Sequence, residues 1–186
     1  DTSRPFFPIY FQDEGLEDLT VLGPGIVGGP SGQHIILCGR VLDRHGDLAN
    51  GVLMEFWQAN AKGIYNSPTN SGHPDLDPWF NGYGRLRSAS GEYKFCTIMP
   101  GASDNRAPNI TITLFSDGIS RIVTQVFFEG QKVNGTDPVL QLLDAEDQAR
   151  LIARRDGRTV DGAEIYILDI VMAGANETPF FDDFES

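Results

Sequence analysis

Apolar residues recur mostly at period two along this chain, the spacing that puts one face of a strand in a core. His34-Ile35-Ile36-Leu37-Cys38-Gly39-Arg40-Val41-Leu42 reads as a strand, and Asp43-Arg44-His45-Gly46-Asp47 as the turn that closes it. Residues 52–58 form a second, with Val52, Met54 and Phe56 on one face. Residues 91–98 form a third, ended by Met99-Pro100-Gly101. Residues 109–115 alternate with Ile110, Ile112 and Leu114 inward. Ser116-Asp117-Gly118 then turns the chain so that residues 122–128 return as a hairpin partner. Residues 165–172 predict a last long strand. One helix is predicted over residues 145–155: Asp144 caps it, Asp147 sits in its first turn and Arg154-Arg155 close it.

Several short strands with one short helix predict a mostly-β chain folded as a two-sheet β-sandwich. Residues 34–186 would form that single domain. Residues 1–33 read as an N-terminal arm and loop. Asp1-Thr2-Ser3-Arg4-Pro5-Phe6-Phe7-Pro8-Ile9-Tyr10-Phe11 is aromatic and proline-rich, without helical period. Exposed, such a segment would be sticky, so it is expected to lie on a surface, its own or a partner's. Residues 59–83 form a long loop rich in Asn, Gly, Pro and Ser, of a length that is usually functional or packed.

With 186 residues, 40% hydrophobic and 22% charged, the chain can bury a core. Its net charge of −12 argues against nucleic acid, which needs a cationic face. Its apolar runs are too short to span a bilayer, and no basic segment followed by an apolar one opens it, so neither a membrane span nor a secretory leader is expected. Cys38 and Cys96 sit in apolar strands with no CxxC spacing, and read as buried free thiols of a reducing compartment.

Local signatures of chemistry are few. His34, His45 and His73 are too far apart for HxH or HExxH, so no metal site is expected of them. No GxSxG elbow occurs. Gly23-Pro24-Gly25-Ile26-Val27-Gly28-Gly29 lacks the preceding strand and following helix of a phosphate loop.

An ordered series of motifs is more informative. Gly39-Arg40-Val41-Leu42-Asp43 precedes Glu55-Phe56-Trp57-Gln58-Ala59-Asn60 and Gly63-Ile64-Tyr65. Then come Asp77-Pro78-Trp79-Phe80-Asn81-Gly82-Tyr83-Gly84-Arg85, Gly91-Glu92-Tyr93-Lys94-Phe95 and Thr97-Ile98-Met99-Pro100-Gly101. Spread over about 65 residues, this series resembles the intradiol ring-cleavage dioxygenases. The resemblance implies a ferric ion held by two tyrosines and two histidines, the hard, anionic phenolates being suited to Fe(III). Tyr65 matches the first tyrosine, and Arg106 matches the arginine that precedes the histidine pair. The other three ligand positions are Ser103, Asn109 and Thr111, so only a vestige of the ligand set remains and this chain is expected to bind no metal.

Within the family, the protocatechuate 3,4-dioxygenases pair an iron-binding β chain with an α chain that lacks iron. Ala107-Pro108-Asn109-Ile110-Thr111-Ile112-Thr113-Leu114-Phe115 and the ending Asn176-Glu177-Thr178-Pro179-Phe180-Phe181-Asp182 resemble the α pattern. The resemblance implies that the arm residues Thr2, Arg4, Pro5 and Phe6 reach the partner's site. Asp117 stands where those α chains carry an arginine. Arg4 gained and an arginine lost at Asp117 suggest that the positive charge has moved, Arg4 pairing with Asp117; the alternative is two ordinary surface charges. The implied protein is an αβ enzyme in a higher (αβ)n oligomer of the bacterial cytoplasm, its Fe(III) in a homologous β subunit, opening protocatechuate or another 4-substituted catechol with O2. The alternative is a metal-free β-sandwich binding or structural module, since fold alone does not fix function.

Overall fold

The computed structural model describes residues 16–22, 27–116 and 119–181, the side chains of residues 119 and 120 excepted. The strands are β1 Leu16–Asp18, β2 His34–Leu42, β3 Leu53–Gln58, β4 Tyr83–Arg87, β5 Glu92–Ile98, β6 Asn109–Ser116 and β7 Ile119–Phe128. Helix α1, Ala145–Leu151, is followed by β8 Ile152–Arg158, β9 Glu164–Ile167 and β10 Ile170–Val171. No helix among the described residues is long and apolar enough to cross a membrane.

The chain is mostly β with one short helix, as its periodicity predicts. The two sheets of the expected sandwich are joined, however. One half runs β1-β5-β2-β9-β8, the other β7-β6-β3-β4, and a parallel pairing of Phe127 with Ile152 and Phe128 with Ala153 links them into one path. Helix α1 causes this join, because it delivers Ile152 and Ala153 beside the end of β7. At the opposite edge β1 closes on β4, where Glu17 Oε2 accepts from Arg85 N at 3.1 Å. The result is a nearly closed sheet around one core. Phe56 from β3 stacks on Phe95 from β5 across it, ring centroids 4.1 Å apart. Val52, Met54, Phe56, Ile110, Ile112 and Leu114 are all buried there, as alternation predicts.

Two elements differ from expectation. The helix ends at Leu151, and Arg154 and Arg155 belong to β8, paired with Ile167 and Tyr166. Good helix formers are overridden because Leu151 and Ala153 are fully buried and the backbone between them completes a ladder. The Asp144 cap holds as predicted, accepting from Asp147 N at 2.9 Å. The long last strand is two strands, β9 and β10, both parallel to β2 and separated at Leu168-Asp169. Asp169 takes the Arg40 N–H with its carboxylate at 2.9 Å in place of a ladder carbonyl. Gly39 allows the crossing: a Cβ there would meet the Leu168 oxygen at 1.9 Å.

Candidate functional site

The site begins where β3 ends. Gln58 is fully buried and bridges the two halves, donating to Ile98 O at 3.0 Å and accepting from the Thr97 hydroxyl at 2.7 Å. Two residues on, Asn60 Oδ1 accepts from Lys62 N at 2.9 Å and Ile64 N at 3.1 Å, while its amide donates to Asp75 O at 2.8 Å. These bonds fold residues 60–64 into a tight loop. Gly63, at φ +81°, lies so close to Ala102 that a Cβ would sit 2.2 Å from its oxygen. The loop that carries Tyr65 is thereby pressed against the segment that carries Ser103 and Arg106.

Tyr65 is half-buried, its ring 5.5 Å from that of Trp57. Trp57 on β3 is in register with Thr111 on β6, which is in register with Gln125 on β7, so the three share one face of that half. Arg106 reaches into this face. Its Nη2 donates to Gln125 Oε1 at 2.5 Å and its Nε to Asp137 Oδ2 at 3.0 Å. Asp137 has no solvent exposure and accepts three further bonds, from Ala107 N, Val139 N and Leu140 N at 2.8, 2.9 and 3.2 Å. A buried carboxylate so surrounded is satisfied and anchors the arginine. Burial pushes the Tyr65 phenol above the usual tyrosine range, and the charge of Arg106 offsets part of that.

These residues do not fit a ferric ion. Ferric iron needs several hard, anionic or imidazole donors. Tyr65 offers one phenolate at most. Asn109 is buried and its amide donates to Ala107 O at 2.8 Å. Thr111 Oγ1 is 3.5 Å from the Gln125 amide. Ser103 is held in a turn by paired backbone bonds with Arg106, at 3.2 and 2.8 Å. Among the described residues no group of three or more His, Cys, Asp or Glu could hold a metal ion. The three histidines are exposed and apart.

Of the residues singled out from the sequence, Tyr65, Arg106, Asn109 and Thr111 gather about this face, with Ser103 on the turn beside it. Thr2, Arg4, Pro5, Phe6 and Asp117 lie outside the described residues. Gln125 and Asp137 were not anticipated. Gln125 could have been noticed as an amide inside the apolar run of residues 122–128, whereas Asp137 sits in a turn-rich stretch where an acid carries no signal.

Comparison with known proteins gives the family. The family described as Dioxygenase matches residues 8–174. The protocatechuate 3,4-dioxygenase beta chain of Burkholderia cepacia is 36% identical over 95% of this chain and 86% of its own length. The alpha chain of the Pseudomonas putida enzyme is 37% identical over 81% and 77%. Overall identity therefore does not choose between the two chain types. Among solved structures, the dioxygenase domain of a dioxygenase carbohydrate-binding protein fusion from Streptomyces sp. SirexAA-E superposes with a TM-score of 0.63 at 23% identity, over 94% of this chain and 97% of that one. By sequence and by fold, this chain belongs to the intradiol ring-cleavage dioxygenase family.

Proposed function

We infer that this chain is the α-type, iron-free subunit of an αβ intradiol dioxygenase. The observation that carries the reading is the set of neutral side chains around Tyr65: Asn109 donates its amide to Ala107 O, Thr111 Oγ1 lies by the Gln125 amide and Ser103 is held in a turn, so neither an imidazole nor a second phenolate stands at those positions. A chain that keeps the family's fold while lacking three of its four ligands contributes to catalysis through a partner. That partner is a homologous β chain that holds the Fe(III), and the pair assembles into a higher oligomer in the bacterial cytoplasm. The proposed reaction is ring opening of protocatechuate or another 4-substituted catechol. The bond between the two hydroxyl-bearing carbons breaks, both atoms of O2 enter the product, and a 3-carboxy-cis,cis-muconate-type acid results.

This chain's share of that site is its arm, with Thr2, Pro5 and Phe6 shaping the mouth and Arg4, paired with Asp117, supplying the positive charge for a ring carboxylate. Arg4→Ala should raise KM for protocatechuate about tenfold, the factor for about 1.4 kcal/mol, with kcat little changed. An unchanged KM would remove Arg4 from the account. The subunit reading itself is tested by co-expression with a homologous iron-binding chain. The expected result is a co-purifying complex that consumes O2 with protocatechuate, whereas the present chain alone consumes none. A stable chain that ignores every such partner would overturn it and favour a metal-free binding module.

A further inference from the structure

The outer face of the β1-β5-β2-β9-β8 half carries an uncovered apolar strip. Lys94, Cys38, Ile167 and Arg154 are successive register partners across β5, β2, β9 and β8, so their side chains share one side. The adjacent row is Cys96, Ile36 and Ile165. Cys38, Ile167, Cys96, Ile36 and Ile165 are only half-buried, although each sits mid-sheet. A concavity of about 660 Å3 opens over this face. Its cations are unevenly used. Arg40 is held by Asp169 at 2.6 Å, whereas Lys94 and Arg154 are exposed and have no ion-pair partner among the described residues. An apolar segment that carries acids would cover the strip and meet Lys94 and Arg154, although Glu92 and Asp169 also line the concavity.

The chain itself carries such a segment. Leu16 lines the concavity and is in register with Lys94, so residues 1–15 depart from its rim. Asp13 and Glu14 immediately precede that rim, and Phe7, Ile9, Tyr10 and Phe11 precede them. We propose that residues 7–14 lie across this face of their own sheet, the two acids at Lys94 and the aromatic run on the strip of Cys38 and Ile167. The length suffices: eight extended residues span roughly 26 Å, against about 19 Å for the four strand spacings from β1 to β8. Residues 2–6 then leave at the far edge, so this inference neither needs nor contradicts their proposed role in a partner's site.

Cys38 and Cys96 report on the cover directly. Iodoacetamide labelling of both thiols, followed by mass spectrometry at pH 8.5, is compared between the full chain alone and its Phe7→Ser/Tyr10→Ser/Phe11→Ser variant. Labelling should be roughly tenfold faster in the variant, the factor for about 1.4 kcal/mol of lost docking. Asp13→Lys/Glu14→Lys, which leaves the sheet face and its two thiols intact, should also accelerate it. Equal rates in all three proteins would overturn the proposal. So would protection that arises only on mixing with an iron-binding partner chain, because the occupant would then be the partner.

Discussion

The Arg106 guanidinium donates to the Asp137 carboxylate at 3.0 Å, and that carboxylate is fully buried while the arginine keeps a side-chain exposure of 25%. The arrangement is asymmetric. Asp137 satisfies three backbone N–H groups as well as the arginine, so it supports both the entry to β6 and the turn before α1. Arg106 depends on it for its position. The face beside Tyr65 thus carries a network with its own logic.

Removing the acid should therefore unfold more than a surface pair would. Asp137→Ala leaves a partly buried guanidinium and three backbone donors without their acceptor. Breaking such a pair costs about 3–5 kcal/mol. Urea denaturation should show a loss in that range. A loss of under about 1 kcal/mol, the worth of an exposed pair, would mean that the network is not structural.

Gly63 makes a second, local prediction. Gly63→Ala forces a side chain into φ +81° and into the Ala102 oxygen. Left-handed strain and the clash together should destabilise the fold by about 2 kcal/mol or more. The fluorescence of Trp57 should change in the same variant, because the loop that packs Tyr65 beside it shifts. Thermal unfolding and Trp fluorescence check both.

Asp169 governs a pH response. Burial raises its pKa, but the hydrogen bonds and charge of Arg40 outweigh that and hold it below the ordinary 3.8. Its carboxylate therefore stabilises the fold above pH 3.8, and the contribution fades as pH falls through the lower folded value. Stability curves of the wild type and Asp169→Asn should differ near neutral pH and converge below about pH 4. A constant gap across that window would contradict the assignment.

Much of the architecture was legible in the sequence because alternation is a direct record of burial. Ile35 and Leu37, Met54 and Phe56, and Ile110 and Ile112 each alternate and each is buried. What was not legible depended on distant partners. Ile152 becomes a strand residue only because Phe127 waits beside it, and residues 165–172 break only because Gly39 and Arg40 receive Leu168 and Asp169. In the site, the neutral residues Ser103, Asn109 and Thr111 could be read position by position. The pairing of Arg106 could not, since Asp137 lies 31 residues from Arg106 and in another element.

The central claim is that this chain cannot hold the family's ferric ion and that a partner does. Iron content and the visible spectrum, measured on the chain alone and on the co-purified complex, test it most directly. The account predicts no iron and no tyrosinate-to-iron absorption in the isolated chain after exposure to Fe(III), and one iron per pair of chains with that absorption in the complex. A coloured, iron-bearing chain in isolation would contradict it.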